Sequence, residues 1–228
     1  MKTKNFFIKL NNRKIPFYYK DTIKDTGGYF AKIILGKLYE KIKLKNNVKT
    51  IIDLGANIGA ASICFALWYP NAKVYSFEPV SETYELLQIN TKEFPNIKTF
   101  NRAASDNDAS LKIYTNPNKL GISSLIKNHM NFEFTDFEFI QAVNFKKFLE
   151  EKNINHIDIL KIDTEGSELN ILNNISSILK QISLIYIEVH GESNIRYVRS
   201  ILNKSHEEIK CNDMSEVLIE SIFIKKEI

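Results

Sequence analysis

The chain reads as an α/β protein built on a doubly wound, mostly parallel sheet. Runs rich in β-branched residues alternate with helical patterns along most of its length. The stretch "TIIDLGANIGAAS", Thr50 to Ser62, passes from an apolar strand through a glycine turn into a helix. "ISLIYIEV", Ile182 to Val189, is almost continuously apolar, as a strand covered on both faces must be.

The elements follow in order. "FFIKL" and "IPFYYK" flank the turn-prone "NNRK" between Phe6 and Lys20 and form a hairpin. From Gly27 to Leu44, apolar residues at Phe30, Ile33, Ile34, Leu38 and Ile42 mark an amphipathic helix. Residues 1–45 are therefore expected to be a small N-terminal cap, and residues 46–228 the main domain.

Within the main domain, Thr50–Leu54 is a strand, and the helix from Ala60 to Tyr69 stops at Pro70. "KVYSFEP" is a strand ending on Glu78, and a helix from Ser81 through Glu93 stops before Pro95. "IKTFNRA" is a third strand, while "ASLKIYT" and "FEFIQAV" are short extra strands. Asn144 caps the next helix. "IDILKID" is a strand, Ser167–Leu179 a helix, Ile182–His190 a strand and Ser193–Leu202 a helix. "HEEIKC" and "SEVLIESIFIKK" close the chain as a hairpin around "NDM". Between Pro117 and Asp136 lies a loop of about twenty residues, long enough to be expected as a lid or acceptor-binding loop.

A net charge of +4 is modest, and of the 31 basic residues only four are arginines, all scattered. Nucleic acid, which calls for a clustered basic face, is not expected as a partner. Cys64 and Cys211 lack disulfide or metal-ligand spacing. Lys9 interrupts the apolar run near the N-terminus, and no apolar stretch reaches the ~18 residues that span a bilayer. The expectation is a cytoplasmic protein without a transmembrane segment, with homo-oligomerisation left open.

In an open parallel sheet, ligands bind beyond the carboxyl ends of the strands. Those ends carry Asp53, Glu78 and Asp163. Three acids are poor company for phosphates. The turn reads Gly55-Ala56-Asn57-Ile58-Gly59, without the middle glycine of a dinucleotide fingerprint and without a P-loop lysine. A nicotinamide-dependent oxidoreductase is disfavoured on that spacing. S-adenosylmethionine fits better, because its cationic groups tolerate carboxylates and its own carboxylate can face the amides at a helix start. Glu78, 19 residues past Gly59, can accept hydrogen bonds from ribose hydroxyls.

At this point a resemblance enters. "IIDLGANIG", "SFEPVSETYELLQIN", "NRAASDNDASLKIY", "GISSL", "DILKIDTEGSE" and "LIYIEVHG" occur in that order, and over roughly Thr50 to Gly191 the chain resembles FkbM-type methyltransferases. The resemblance implies a seven-stranded class I (Rossmann-like) methyltransferase fold with a C-terminal antiparallel hairpin and S-adenosylmethionine as donor. It also implies methylation of a hydroxyl oxygen, often on sugars or natural products. Glu78 corresponds to the ribose acid, and Ser105-Asp106 is expected near the adenine. "VNFKKF", Val143 to Phe148, departs from the family's Thr-Leu-Asp-like helix start.

Methyl transfer to an alcohol requires alignment of the nucleophile and removal of its proton. Asp163, Glu165, Glu188 and His190 are expected to converge at the sheet edge as the catalytic group, with His190 as candidate base because imidazole titrates near about 6.5. Hydrogen bonding to the following loop is the plainer role for Glu188 and His190, and helix capping for Glu165. The same four residues are the candidate ligands for a divalent metal. Lys161, two residues before Asp163 and on the same strand face, is expected to form a buried ion pair. The leading expectation is an O-methyltransferase acting on a sugar hydroxyl of a surface glycan or glycolipid precursor, as in polysaccharide biosynthesis. A natural-product O-methyltransferase and a non-catalytic binding protein are the alternatives.

Overall fold

The structure is a computed structural model and describes residues 3–10, 12–20, 26–116, 123–124, 134–215 and 218–227. Most of the long loop expected as a lid lies outside the described residues, as do Gly121, Ile122 and Leu125 of "GISSL". Strands β1 (Thr3–Leu10) and β2 (Arg13–Lys20) form the expected hairpin, with Phe6 opposite Phe17. Helix α1 (Thr26–Ile34) is shorter than its apolar spacing implies. It stops because Gly36 takes φ +66° and the chain closes with paired bonds, Gly36 N to Ile33 O and Lys37 N to Lys32 O. A side chain at Gly36 would also meet the Trp68 ring.

Next come β3 (Thr50–Leu54), α2 (Ala60–Trp68), β4 (Lys73–Phe77), α3 (Ser81–Thr91) and β5 (Ile97–Phe100). The expected strand "IKTFNRA" is split: β6 (Ala103–Ser105) leaves β5 for a second, four-stranded sheet with β7 (Ala109–Thr115), β8 (Ser123–Ser124) and β9 (Asp136–Asn144). Helix α4 (Phe145–Glu151) follows, and Asn144 Oδ1 caps it by accepting from Lys147 N. Then come β10 (Ile157–Ile162), α5 (Glu168–Asn174), β11 (Ile182–His190), α6 (Glu192–Leu202), β12 (His206–Ser215) and β13 (Leu218–Lys225). The helix expected through Leu179 ends at Asn174 and gives way to a 3-10 segment, Ser176–Gln181. Strand β12 also runs on through "NDM" to Ser215.

The main sheet has seven strands in the order β12-β13-β11-β10-β3-β4-β5, with only β13 antiparallel to its neighbours. This is the class I methyltransferase arrangement. All six residues of β10 are buried, as its central place between helix layers requires. Alternation sends Ile52 and Leu54 to one face, where they pack with Phe145, Phe148, Ile171 and Val198. Ile51 faces the other way and shares a core with Ile63, Phe65, Phe17 and Ile33. The hairpin and α1 thus bury their apolar sides in the same core as α2. Full burial of Phe17 alone stabilises this union by about 1.5–3 kcal/mol.

Asn90 of α3 fastens the hairpin. Its Oδ1 accepts from Tyr18 N (2.7 Å), and its Nδ2 donates to Tyr18 O (2.9 Å) and Ile58 O (2.8 Å). Among the described residues no helix is long and apolar enough to cross a membrane.

Candidate active site

The glycine turn is wedged between two strand ends. Gly55 N and Ala56 N both donate to Phe77 O of β4, at 3.1 and 2.8 Å. Gly55 takes φ +77°, and a Cβ there would stand 1.7 Å from the Asp163 carbonyl oxygen beyond β10. Only glycine permits that approach. Asn57, at φ +50°, donates its backbone N–H to Glu78 Oε2 (3.0 Å), while Val80 N donates to Glu78 Oε1 (3.0 Å). Glu78 therefore ties the turn to the chain entering α3.

Burial at 6% exposure pushes the Glu78 carboxyl up to about 7, against the opposing pull of the Val80 and Asn57 amides and Lys161. A carboxylate has about four acceptor directions, so two remain for incoming hydroxyls. Asn101 Nδ2 donates to the carbonyls of Glu78 and Pro79, at 3.0 and 2.9 Å, and brings the next segment to this strand end. That segment carries Ser105, buried, with Oγ donating to Asp106 Oδ1 at 3.2 Å.

Beneath the turn sits a buried cation. Lys161 Nζ lies 3.1 Å from Asp53 Oδ1 and 3.3 Å from Asp163 Oδ2, and donates to the Gly55 carbonyl at 2.9 Å. Burial alone would lower the ammonium's pKa; Asp53 and Asp163 outweigh it and hold the value well above the ordinary one. Lys161 thus makes the expected ion pair, with both acids at once. Asp53 is fully buried, and its other oxygen accepts from Ser62 Oγ at 2.6 Å. Its carboxylate engages Ser62 and Lys161 beneath the turn. The Asp163 carboxyl is pushed up to about 7 by burial and by Glu188 and Glu165, against Lys161.

His190, Glu188 and Glu165 do converge. His190 Nε2 is 3.1 Å from Glu188 Oε1 and 3.3 Å from Glu165 Oε2, and Nδ1 is 3.5 Å from Glu168 Oε1. Burial would depress the imidazole, yet the carboxylates of Glu168, Glu188 and Glu165 push it up to about 10. The expectation of a neutral base rested on the ordinary value. The carboxylates around it thus favour the protonated ring. Glu165 itself sits at φ +53°, and its carbonyl accepts from Ser124 Oγ at 2.7 Å. The amide of Gly166 is taken by Glu168 (2.9 Å), so Glu168 rather than Glu165 secures the loop entering α5.

Sequence reasoning missed the groups that complete the rim. A cleft lies between residues 38–40 and the ends of β10, β11 and β13, lined among others by Tyr39, Asp163, Glu188, Lys210 and Glu220. Glu188 and Glu220 are register partners across β11 and β13. Tyr186 Oη donates to Glu40 O at 2.6 Å and pins the covering segment to the sheet. Tyr29 of α1 has a half-exposed ring, and its hydroxyl is pushed up to about 12 by desolvation and by Asp163, Glu188 and Glu220. The sequence signal for Tyr29 and Glu220 is faint, because Glu220 reaches the cleft, and Tyr29 comes under the influence of its acids, only through long-range packing.

The methyltransferase FkbM domain profile matches residues 53–209. The chain belongs to the FkbM methyltransferase family. This FkbM domain is 26% identical over 187 residues to the methyltransferase sdnD of Sordaria araneosa, covering 69% of this chain and 72% of sdnD. It is 24% identical over 157 residues to the hexuronic acid methyltransferase AglP of Haloferax volcanii, covering 67% of this chain and 61% of AglP. Among solved structures, an FkbM methyltransferase from Methylobacillus flagellatus superposes with a TM-score of 0.56 at 13% identity, over 84% of this chain and 47% of that one. The FkbM domain here thus spans about half of that chain. Family and fold together support methyl transfer from S-adenosylmethionine.

Proposed function

We propose that this FkbM domain transfers a methyl group from S-adenosylmethionine to a hydroxyl oxygen of a sugar, in a glycan or glycolipid precursor. The observation that carries the acceptor is the cleft beside Asp163, where Glu188 and Glu220 supply acceptors for neighbouring hydroxyls and Tyr39 an aromatic wall. The acid-rich rim disfavours a polyphosphate chain, and with it a nucleic-acid partner. AglP, by its name a hexuronic acid methyltransferase, lends weight to a sugar acceptor.

The residues fit the donor. Glu78 keeps acceptor capacity for the ribose hydroxyls, and the turn Gly55, Ala56, Asn57 and Gly59 precedes the α2 N-terminus, which suits a carboxylate. Ser105 and Asp106, on the segment tied to Glu78, form the adenine side. Bound S-adenosylmethionine supplies an electrophilic methyl carbon on sulfur. The chain's share is alignment and handling of one proton. Asp163 lines the cleft and its carbonyl abuts Gly55, which supports assigning it the hydroxyl proton in this reading. Lys161 fixes Asp163 in that place.

The test is incubation with methyl-labelled S-adenosylmethionine and a panel of sugars, nucleotide sugars and oligosaccharides, with a polynucleotide and small phenols as controls. Base-stable label on a sugar oxygen is the expected result. Label on nitrogen, on phenol or on polynucleotide alone would reject the sugar acceptor, and failure to bind the donor would reject the enzyme.

A further inference from the structure

We propose that Glu165, Glu188 and His190 form a binding site for one divalent transition-metal cation, of the Mn²⁺ class, at the wall of the acceptor cleft. One ligand atom from each lies within 4.8 Å of the others. A cation with bonds of about 2.1 Å and near-octahedral or tetrahedral angles spaces its ligands by roughly 3.0–3.4 Å. Nε2 of His190 stands 3.1 Å from Glu188 Oε1 and 3.3 Å from Glu165 Oε2. Mixed imidazole and carboxylate donors favour Mn²⁺ or Zn²⁺ over Mg²⁺ or Ca²⁺, which prefer oxygen alone.

Three further features favour a cation over simple hydrogen bonding. One Nε2–H cannot point at two carboxylates at once with good geometry, whereas a metal serves both. Behind the ring, Glu168 is 1% exposed and faces Nδ1 at 3.5 Å, the carboxylate–imidazole partnership that commonly orients a metal-binding histidine. Its Oε1 is set by Gly166 N and Thr164 Oγ1, and its Oε2 is buried with no hydrogen-bond partner among the described residues. Glu165 is held in a left-handed backbone conformation of the kind that marks functional sites.

Glu188 belongs both to this site and to the cleft, so a bound ion faces the acceptor. There it can hold and polarise a hydroxyl. That role rests on the acceptor reading above; metal binding by itself does not.

The test titrates chelator-treated protein with Mn²⁺ and follows free Mn²⁺ by electron paramagnetic resonance, with pulsed detection of nitrogen coupling. One ion per chain with a nitrogen ligand is expected. Glu188→Gln and Glu165→Gln should each weaken binding by roughly tenfold or more, and His190→Gln should remove the nitrogen coupling. Circular dichroism checks that each variant is folded; if Glu188→Gln fails to fold, Glu165→Gln carries the comparison. No binding at millimolar Mn²⁺, or binding that folded variants leave unchanged, overturns the site. Donor calorimetry and the transfer assay run on the same samples. Methyl transfer with no Mn²⁺ binding would reject the metal and spare the function, whereas Mn²⁺ binding without transfer would do the reverse.

Discussion

The Lys161 ammonium donates to the carbonyl of Gly55, 2.9 Å away, from inside the sheet. It links the glycine turn to the strand that leads into Asp163, and it sits against the fully buried Asp53. Replacement by Met keeps the volume and removes the charge, leaving Asp53 buried without a cation. Lys161→Met should cost about 3–5 kcal/mol, read from urea unfolding. Adding Asp53→Asn should return roughly half of that loss. Equal stability of wild type and single variant would show the pair to be dispensable.

Gly55→Ala is expected to be severe. The new methyl group collides with backbone, which cannot rotate away, at a positive φ. A loss of at least about 3 kcal/mol, with abolished donor binding, should appear in thermal melts with and without S-adenosylhomocysteine.

Glu78→Gln should weaken donor binding by about 1.5–3 kcal/mol while the fold survives, since the amide oxygen can still accept from one backbone N–H. Calorimetry reads this directly. Unchanged affinity would remove Glu78 from the ribose site.

The same residue sets a pH dependence. Its carboxyl titrates at about 7 when folded, against 4.5 ordinarily. Ribose hydroxyls need the ionised form, so donor affinity should hold above about pH 7 and fall as pH drops, by up to roughly tenfold per unit. Folding has the opposite sign: the folded chain keeps this proton more tightly, so acidification from about 7 towards 4.5 adds stability from this group. The affinity slope should vanish in Glu78→Gln.

Asn90→Ala should cost about 2–4 kcal/mol, because it strips partners from Tyr18 and from Ile58 together. Hydrogen exchange should then rise in β2 and at the glycine turn in parallel. Faster exchange in the hairpin alone would mean that the two are not coupled.

Local pattern carried much of the fold. Pro70 stopped a helix, Asn144 capped one, and the period-two and near-continuous apolar runs located the strands around the candidate site. Pattern misled where packing decided. The apolar spacing runs on past Gly36, but the Trp68 ring and a left-handed glycine end α1 there. The break between β5 and β6 carries no local mark, because β6 is drawn away by pairing with β9, distant in sequence. In the site, strand-end acids were legible because parallel topology gathers them at one edge. The carboxylates that surround His190 were not, since Glu168 of α5 meets it at the end of β11 only through tertiary packing. Tyr29 and Glu220 were hidden for the same reason.

The two register partners Glu188 and Glu220 stand on the far side of Lys161 from Glu78 and the glycine turn. Under the proposed function, exchanges on the last strands would alter the acceptor side of the crevice and leave the glycine turn and Glu78 in place.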